Sequence, residues 1–202
     1  MKSNDNSVNI ESVKRGYHHG DLRAALVAVG LDLLKQRDAD ALSLREVARG
    51  VGVSATAVYR HFPDKQSLLL AMCAQGAEAM AAEQQAAMEV AGVSGGVGRA
   101  GFDAMGEAYV RFALANPALF RLMMSVHPAN GYFSGEAPVV NAAMQLLRRS
   151  VDSLLPESAT AEARRIAAIH AWSMVHGMAM LMLEGLIPAD DTIIASISRS
   201  RL

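Results

Sequence analysis

The sequence predicts an all-α protein, and three observations carry that reading. Apolar residues recur three and four positions apart along most of the chain, the spacing of one helix face, while aromatic residues, which favour strands, make up only 5%. The six prolines, at 63, 117, 128, 138, 156 and 188, divide the chain into helix-length pieces, because proline is expelled from helix interiors. The cluster Gly92-Val93-Ser94-Gly95-Gly96-Val97-Gly98 breaks what would otherwise be one continuous helix, and reads as a loop. Helices are accordingly expected at 20–37, 43–49, 54–61, 64–90, 99–115, 117–125, 137–154, 160–184 and 190–201.

Composition narrows the function classes. At 202 residues, 51% hydrophobic and 19% charged, the chain has ample apolar surface for a core. Residues 1–17 are polar, lack the apolar run of a secretory signal and read as a mobile tail. The lone Cys73 cannot form an intrachain disulfide or seed a structural zinc site, so a cytoplasmic location is expected. A net charge of −1 argues against a protein that coats nucleic acid over its whole surface. The charge is unevenly spread, with 10 Lys and Arg against 8 Asp and Glu in residues 1–65, and 9 against 12 in residues 66–202. An anionic partner would therefore bind the N-terminal part, where His18, His19 and His61 also lie.

Among the elements in chain order, the pair within 43–62 is the most informative. Ser43-Leu44-Arg45-Glu46 has capping-box spacing: the serine oxygen takes the backbone N–H three residues on, and the glutamate reaches back. That helix turns Val47, Ala48 and Val51 inward and meets Gly50-Val51-Gly52-Val53, whose glycines reach backbone angles that other residues resist. Ser54 then caps Ala55-Thr56-Ala57-Val58-Tyr59-Arg60-His61. Val58 and Phe62 lie one turn apart and point to the core, while Thr56 and Arg60, flanked by Ala57 and Tyr59, project outward. Two helices joined by such a turn form a helix-turn-helix, and the second, with its small, polar outer face, is shaped for a DNA major groove.

The run from Leu42 to Leu69 resembles the DNA-binding domain of TetR/AcrR-type transcriptional regulators, most specifically in Tyr59-Arg60-His61-Phe62-Pro63-Asp64-Lys65-Gln66-Ser67-Leu68. The resemblance spans roughly residues 18–70, and Ala171-Trp172-Ser173-Met174-Val175-His176-Gly177 is similar to a Trp…His-Gly signature in the C-terminal domain of one group of these regulators. It implies a flexible tail at 1–17, a three-helix DNA-binding domain at 18–66 and a ligand-binding and dimerisation domain at 67–202. Two positions depart from the family's usual glycines, Asp38 after the first helix and Thr56 in the recognition helix. Aspartate tolerates left-handed angles, so Asp38 leaves the fold unthreatened. Thr56 brings a hydroxyl and a methyl to the groove and so affects which operator is read.

Groove chemistry divides the candidate DNA-binding residues. Ser43, Ser54, Tyr59, His61 and Lys65 supply donors and cations for phosphates, and the first two also stand at helix N-termini, where the dipole favours an anion. Arg45, which can fork onto a guanine, reads bases together with Ala55, Thr56, Ala57 and Arg60. Lys14 and Arg15 form a basic arm for an adjacent minor groove. Arg45 has a second reading, pairing with Glu46, and Tyr59 another as a packed ring; His18 and His19 read first as tail or capping residues.

In the C-terminal two-thirds, residues 166–183 (IAAIHAWSMVHGMAMLML) are so uniformly apolar that near-complete burial is expected. The run is short for a membrane span and contains His170, Ser173 and His176, which favours a core helix or one shared with a dimer interface. Residues 160–202, with Ile193, Ile194 and Ile197, are the expected site of a four-helix interface between two copies. Methionines concentrate here, soft enough to re-pack around an apolar ligand and equally at home in a core. Met105, Phe112, Met123, His127, Trp172 and His176 are the candidate ligand-binding residues, with His127 in an irregular stretch, 127–138, that reads as a lid or pocket mouth.

Enzyme chemistry finds no motif. There is no His-Glu-x-x-His and no phosphate-cradling glycine loop, and His170 and His176 are on different helix faces, so no metal and no cofactor are expected. The reading that results is a transcriptional regulator, expected to be a repressor released from double-stranded operator DNA by a small hydrophobic molecule. The rival is a helical small-molecule-binding protein or enzyme without DNA binding.

Overall fold

The computed structural model describes residues 22–91, 98–126, 133 and 142–199. Within them every regular element is helical: α1 (Leu22–Leu34), α2 (Leu44–Val51), α3 (Ala55–Tyr59), α4 (Lys65–Val90), α5 (Arg99–Ala115), α6 (Pro117–Ser125), α7 (Ala142–Leu154), α8 (Ala161–Leu183) and α9 (Asp191–Arg199). A 3-10 turn, Ala39–Ala41, joins α1 to α2 where the sequence pattern shows no element. The first helix is shorter than its periodicity predicts and ends at Leu34, and the Gly92–Val97 part of the expected loop lies outside the described residues.

Three apolar clusters hold the chain together. The first gathers Leu26, Val27, Leu34, Val47, Val58, Phe62 and Leu68 from α1 to α4, and is closed by Leu122 of α6. The second is built from α4, α5, α6, α8 and α9 around Tyr109, Phe112, Phe120 and Met178. The third joins Met88 to Met105, Leu146 and Leu147. One helix serves all of them: α4 gives Leu68, Leu69 and Met72 to the first cluster, Ala77 and Met80 to the second, and Met88 to the third. Its N-terminus is fixed by a capping box in which Ser67 N–H donates to Asp64 Oδ1 at 2.7 Å and Asp64 N–H donates to Ser67 Oγ at 3.4 Å. At Gly76 it passes α6 so closely that a Cβ would stand 2.8 Å from Met123 Sδ.

The C-terminal helices depart from two expectations. Instead of being buried nearly all round, α8 buries only Ala168, Met178, Ala179 and Met182. Helices α5, α7 and α9 cover one side of it. The opposite stripe, with Ile166 55% and Leu181 43% exposed and with His170 and Ser173 also exposed, is not covered by the described residues. Two of the α9 isoleucines expected at an interface between copies also face inward, Ile194 at 2% exposure inside the chain's own second cluster and Ile193 packed against it. Helix α9 is held to α5 by ion pairs, Arg111 Nε to Asp191 at 2.9 Å and Arg199 to the buried Glu107 at 3.1 Å.

Candidate nucleic-acid interface and ligand cavity

The N-terminal head places its polar residues on one surface by burying their neighbours. Val58 and Phe62 are 0% and 1% exposed, which anchors α3 from beneath and leaves Ala55, Thr56, Tyr59, Arg60 and His61 exposed, with Ala57 half-buried. Arg23 of α1 stacks over the Phe62 ring at 5.1 Å and seals that contact. The turn into α3 runs through Gly52 at φ +79°, a left-handed angle that costs a side-chain-bearing residue energy, and its N–H closes α2 by donating to the Ala48 carbonyl at 2.9 Å. Ser54 Oγ accepts from Ala57 N–H at 3.2 Å, which starts α3 on schedule.

At the head of α2, Ser43 Oγ accepts from Glu46 N–H at 3.3 Å and donates to the Glu46 carboxylate at 2.9 Å. Arg37 adds a 2.6 Å contact to the same carboxylate. The Ser43 hydroxyl first, and Arg37 second, hold the Glu46 carboxyl below its usual pKa. With Glu46 engaged by Ser43 and Arg37, Arg45 remains exposed on the outer face of α2. Lys65 is half-buried, and its Nζ donates to the Asp40 carbonyl at 2.7 Å, tying the start of α4 to the 3-10 turn.

The second site is a cavity of about 60 Å³ between α4, α5, α6, α7 and α8. Five methionines, Met80, Met105, Met123, Met124 and Met144, line it with Phe102, Leu147 and Val175. Its polar groups are few. Trp172 Nε1–H donates to the Tyr109 hydroxyl at 3.0 Å, and that hydroxyl is shared with His176 Nδ1 at 3.1 Å. Burial holds the His176 imidazole below its ordinary pKa, so the ring is neutral at pH 7. Phe133 stacks on Trp172 at a centroid distance of 6.0 Å. Gln84, 4% exposed, also lines the cavity and donates its Nε2–H to the Met105 carbonyl at 3.3 Å. Burial alone pushes the Cys73 thiol up to about 11, so it stays protonated and unreactive at neutral pH.

Comparison with known proteins places both halves. The profile described as "Bacterial regulatory proteins, tetR family" matches residues 26–72, and that of "Tetracyclin repressor-like, C-terminal domain" matches residues 102–199. A solved structure of a protein with unknown function from Rhodococcus sp. RHA1 is 32% identical, with 92% of this chain aligned to 95% of that one at a TM-score of 0.69. The chain belongs to the TetR family. A TetR-family transcriptional regulator from Streptomyces coelicolor shares the fold at 20% identity, with 90% and 79% of the two chains covered and a TM-score of 0.62. A TetR transcriptional regulator from Rhodococcus sp. RHA1 does so at 18%, covering 90% and 96%, with a TM-score of 0.57. No curated protein sequence matches.

In this TetR-family regulator, nine of the ten residues expected to meet DNA lie on α2, α3, their caps and the start of α4, and the tenth, His61, lies in the turn between α3 and α4. Of the expected ligand residues, Met105, Met123 and Trp172 line the cavity, and His176 reaches it through Tyr109. Phe112 instead sits 2% exposed in the second cluster, outside the lining. Lys14, Arg15, His18, His19 and His127 lie outside the described residues, as does the 127–138 stretch apart from Phe133. Sequence reasoning missed Tyr109 and Gln84. Tyr109 is an aromatic in a helical pattern with no local partner, because the Trp and His it bonds are 63 and 67 residues away.

Proposed function

We propose that this regulator is a homodimeric, cytoplasmic repressor that a small hydrophobic molecule releases from its operator. The observation that carries the reading is α4, one unbroken helix whose first residue is Lys65 and whose later residues Met80 and Gln84 line the cavity. From Lys65 to Met80 it spans about 22 Å at 1.5 Å per residue, so a tilt imposed at the cavity moves the head.

In this reading α3 enters the major groove. Arg45, Ala55, Thr56, Ala57 and Arg60 face base edges, while Ser43, Ser54, Tyr59, His61 and Lys65 grip phosphates. The uncovered stripe of α8, from Ile166 to Leu181, supports a second copy docking there. Met105, Met123, Trp172 and His176 take the effector. Half-sites of an operator repeat at about 34–36 Å, so a dimer whose heads are moved a few ångströms apart by ligand seats only one.

Selection of bound duplexes from a random library by the purified chain tests the DNA half of the reading; a palindrome with that half-site spacing is the expected result, and recovery of unenriched sequence overturns it. Linkage tests the release. A ligand that quenches Trp172 must bind more weakly at saturating operator, by the same factor by which it weakens operator binding. An affinity unchanged by operator overturns the release mechanism.

A further inference from the structure

The polar groups of the cavity are unequal in what they leave over. The Trp172 N–H is given to Tyr109, whose hydroxyl is also engaged with His176. Gln84 differs: it is 4% exposed, one Nε2–H is given to the Met105 carbonyl, and its Oε1 has no hydrogen-bond partner among the described residues. The Met105 carbonyl also fixes which way the amide is turned, because the flipped form would set two acceptor oxygens against each other. A buried acceptor without a partner is destabilising, and the cost is recovered only by something that brings it a donor.

The rest of the lining decides what that something is. Among the described residues, no Asp, Glu, Lys or Arg lines the cavity. A carboxylate or phosphate would meet the lone pairs of Gln84 with no cation to balance it, and an ammonium would be desolvated with no counter-ion. The methionine, leucine and aromatic walls favour hydrocarbon everywhere else. Resting on the proposal that this cavity is the effector site, we propose that it selects neutral, mainly apolar molecules carrying one hydroxyl or N–H donor, which Gln84 Oε1 accepts.

A matched pair of probes tests this: 4-ethylphenol, neutral at pH 7, and ethylbenzene, which has the same hydrocarbon frame and no donor. Calorimetric titration of the whole chain gives the affinities, and quenching of Trp172, the chain's single tryptophan, reports occupancy of this cavity. In a wholly apolar cavity the hydrocarbon binds better, because the phenol loses its water. Here the wild-type protein is expected to prefer 4-ethylphenol by about tenfold, equal to about 1.4 kcal/mol. In Gln84→Met, which keeps the volume and removes the acceptor, that preference is expected to vanish or invert. Equal binding or a preference for ethylbenzene by the wild-type protein overturns the inference while leaving the cavity an effector site. A preference that survives in Gln84→Met overturns it as well. Failure of both probes to bind overturns the inference together with the effector reading of the cavity. Should Gln84→Met fail to fold, the wild-type comparison decides alone.

Discussion

The head and the C-terminal unit use their side chains in opposite ways. In the head, Val58 and Phe62 are packed with essentially no exposure, and the residues that face outward from α3 are short or polar. In the C-terminal unit, five methionines surround unfilled space, and the polar groups that matter are buried, as Tyr109 and Gln84 are, or half-buried, as Trp172 and His176 are. A rigid surface suits a partner of fixed shape such as a DNA groove, whereas thioether walls with several rotatable bonds suit a ligand whose shape the protein must accommodate. The difference teaches where each part tolerates change: on the head's surface but not beneath it, and in the cavity's walls but not at its few polar atoms.

The contrast is sharpest under truncation of the head's core. Phe62→Ala is expected to cost about 3–5 kcal/mol in denaturant unfolding, because the ring is fully enclosed and Arg23 stacks on it. An unchanged midpoint would break the comparison at once. On the surface of the head the expected losses are smaller and show in binding. Arg45→Ala should cost about 1–3 kcal/mol on a selected operator and little on random duplex. Lys65→Ala should weaken both duplexes alike and flatten the salt dependence, since a phosphate contact carries no base information. Titrating both variants on both duplexes distinguishes the roles, and equal behaviour would remove the division between gripping and reading residues.

In the cavity, Met105→Leu and Met123→Leu each conserve volume and are expected to cost less than about 1.5 kcal/mol. A loss as large as that of Phe62→Ala, measured in the same denaturant, would mean that the methionine walls are as tightly specified as the head's core. The smallest expected effect is a pH dependence. Because burial holds His176 below its ordinary value of about 6.5, the unfolded chain binds a proton there more readily than the folded one. This residue's contribution to stability is therefore flat above that value, falls as pH drops through it, and levels off below the folded pKa. Unfolding midpoints at about pH 7.5 and 5.5 should show the fall in the wild-type protein, and a smaller one in His176→Gln.

The same difference explains what was legible in the sequence. Helix positions could be read from period, proline and capping serines, because those signals are local: Ser43 and Ser54 cap where their spacing predicts. The head's outer face followed from burying Val58 and Phe62. The cavity could not be read this way, since a void is made by residues from five helices and leaves no mark in any one of them. Tyr109 and Gln84 look like ordinary members of helices until the fold brings Trp172, His176 and the Met105 carbonyl to them. The 3-10 turn at Ala39–Ala41 is closed by its own backbone bonds, Ala41 N–H to the Asp38 carbonyl at 3.1 Å and Leu42 N–H to the Ala39 carbonyl at 3.2 Å, and Lys65, 25 residues away, adds a contact that no local pattern shows. The burial expected of α8 failed because an apolar run reports that a surface avoids water without saying whether its own chain covers it.

The joint between the two units lies inside a helix and not in a linker, and this constrains how the head can be exchanged. Met72 belongs to the head and Ala77 to the unit beyond, with Gly76 pressed against α6 between them. An insertion of one residue there would rotate everything downstream by about 100° relative to the head. An engineered exchange of the head is therefore expected to keep the chain folded only when the length of α4 is preserved to the residue.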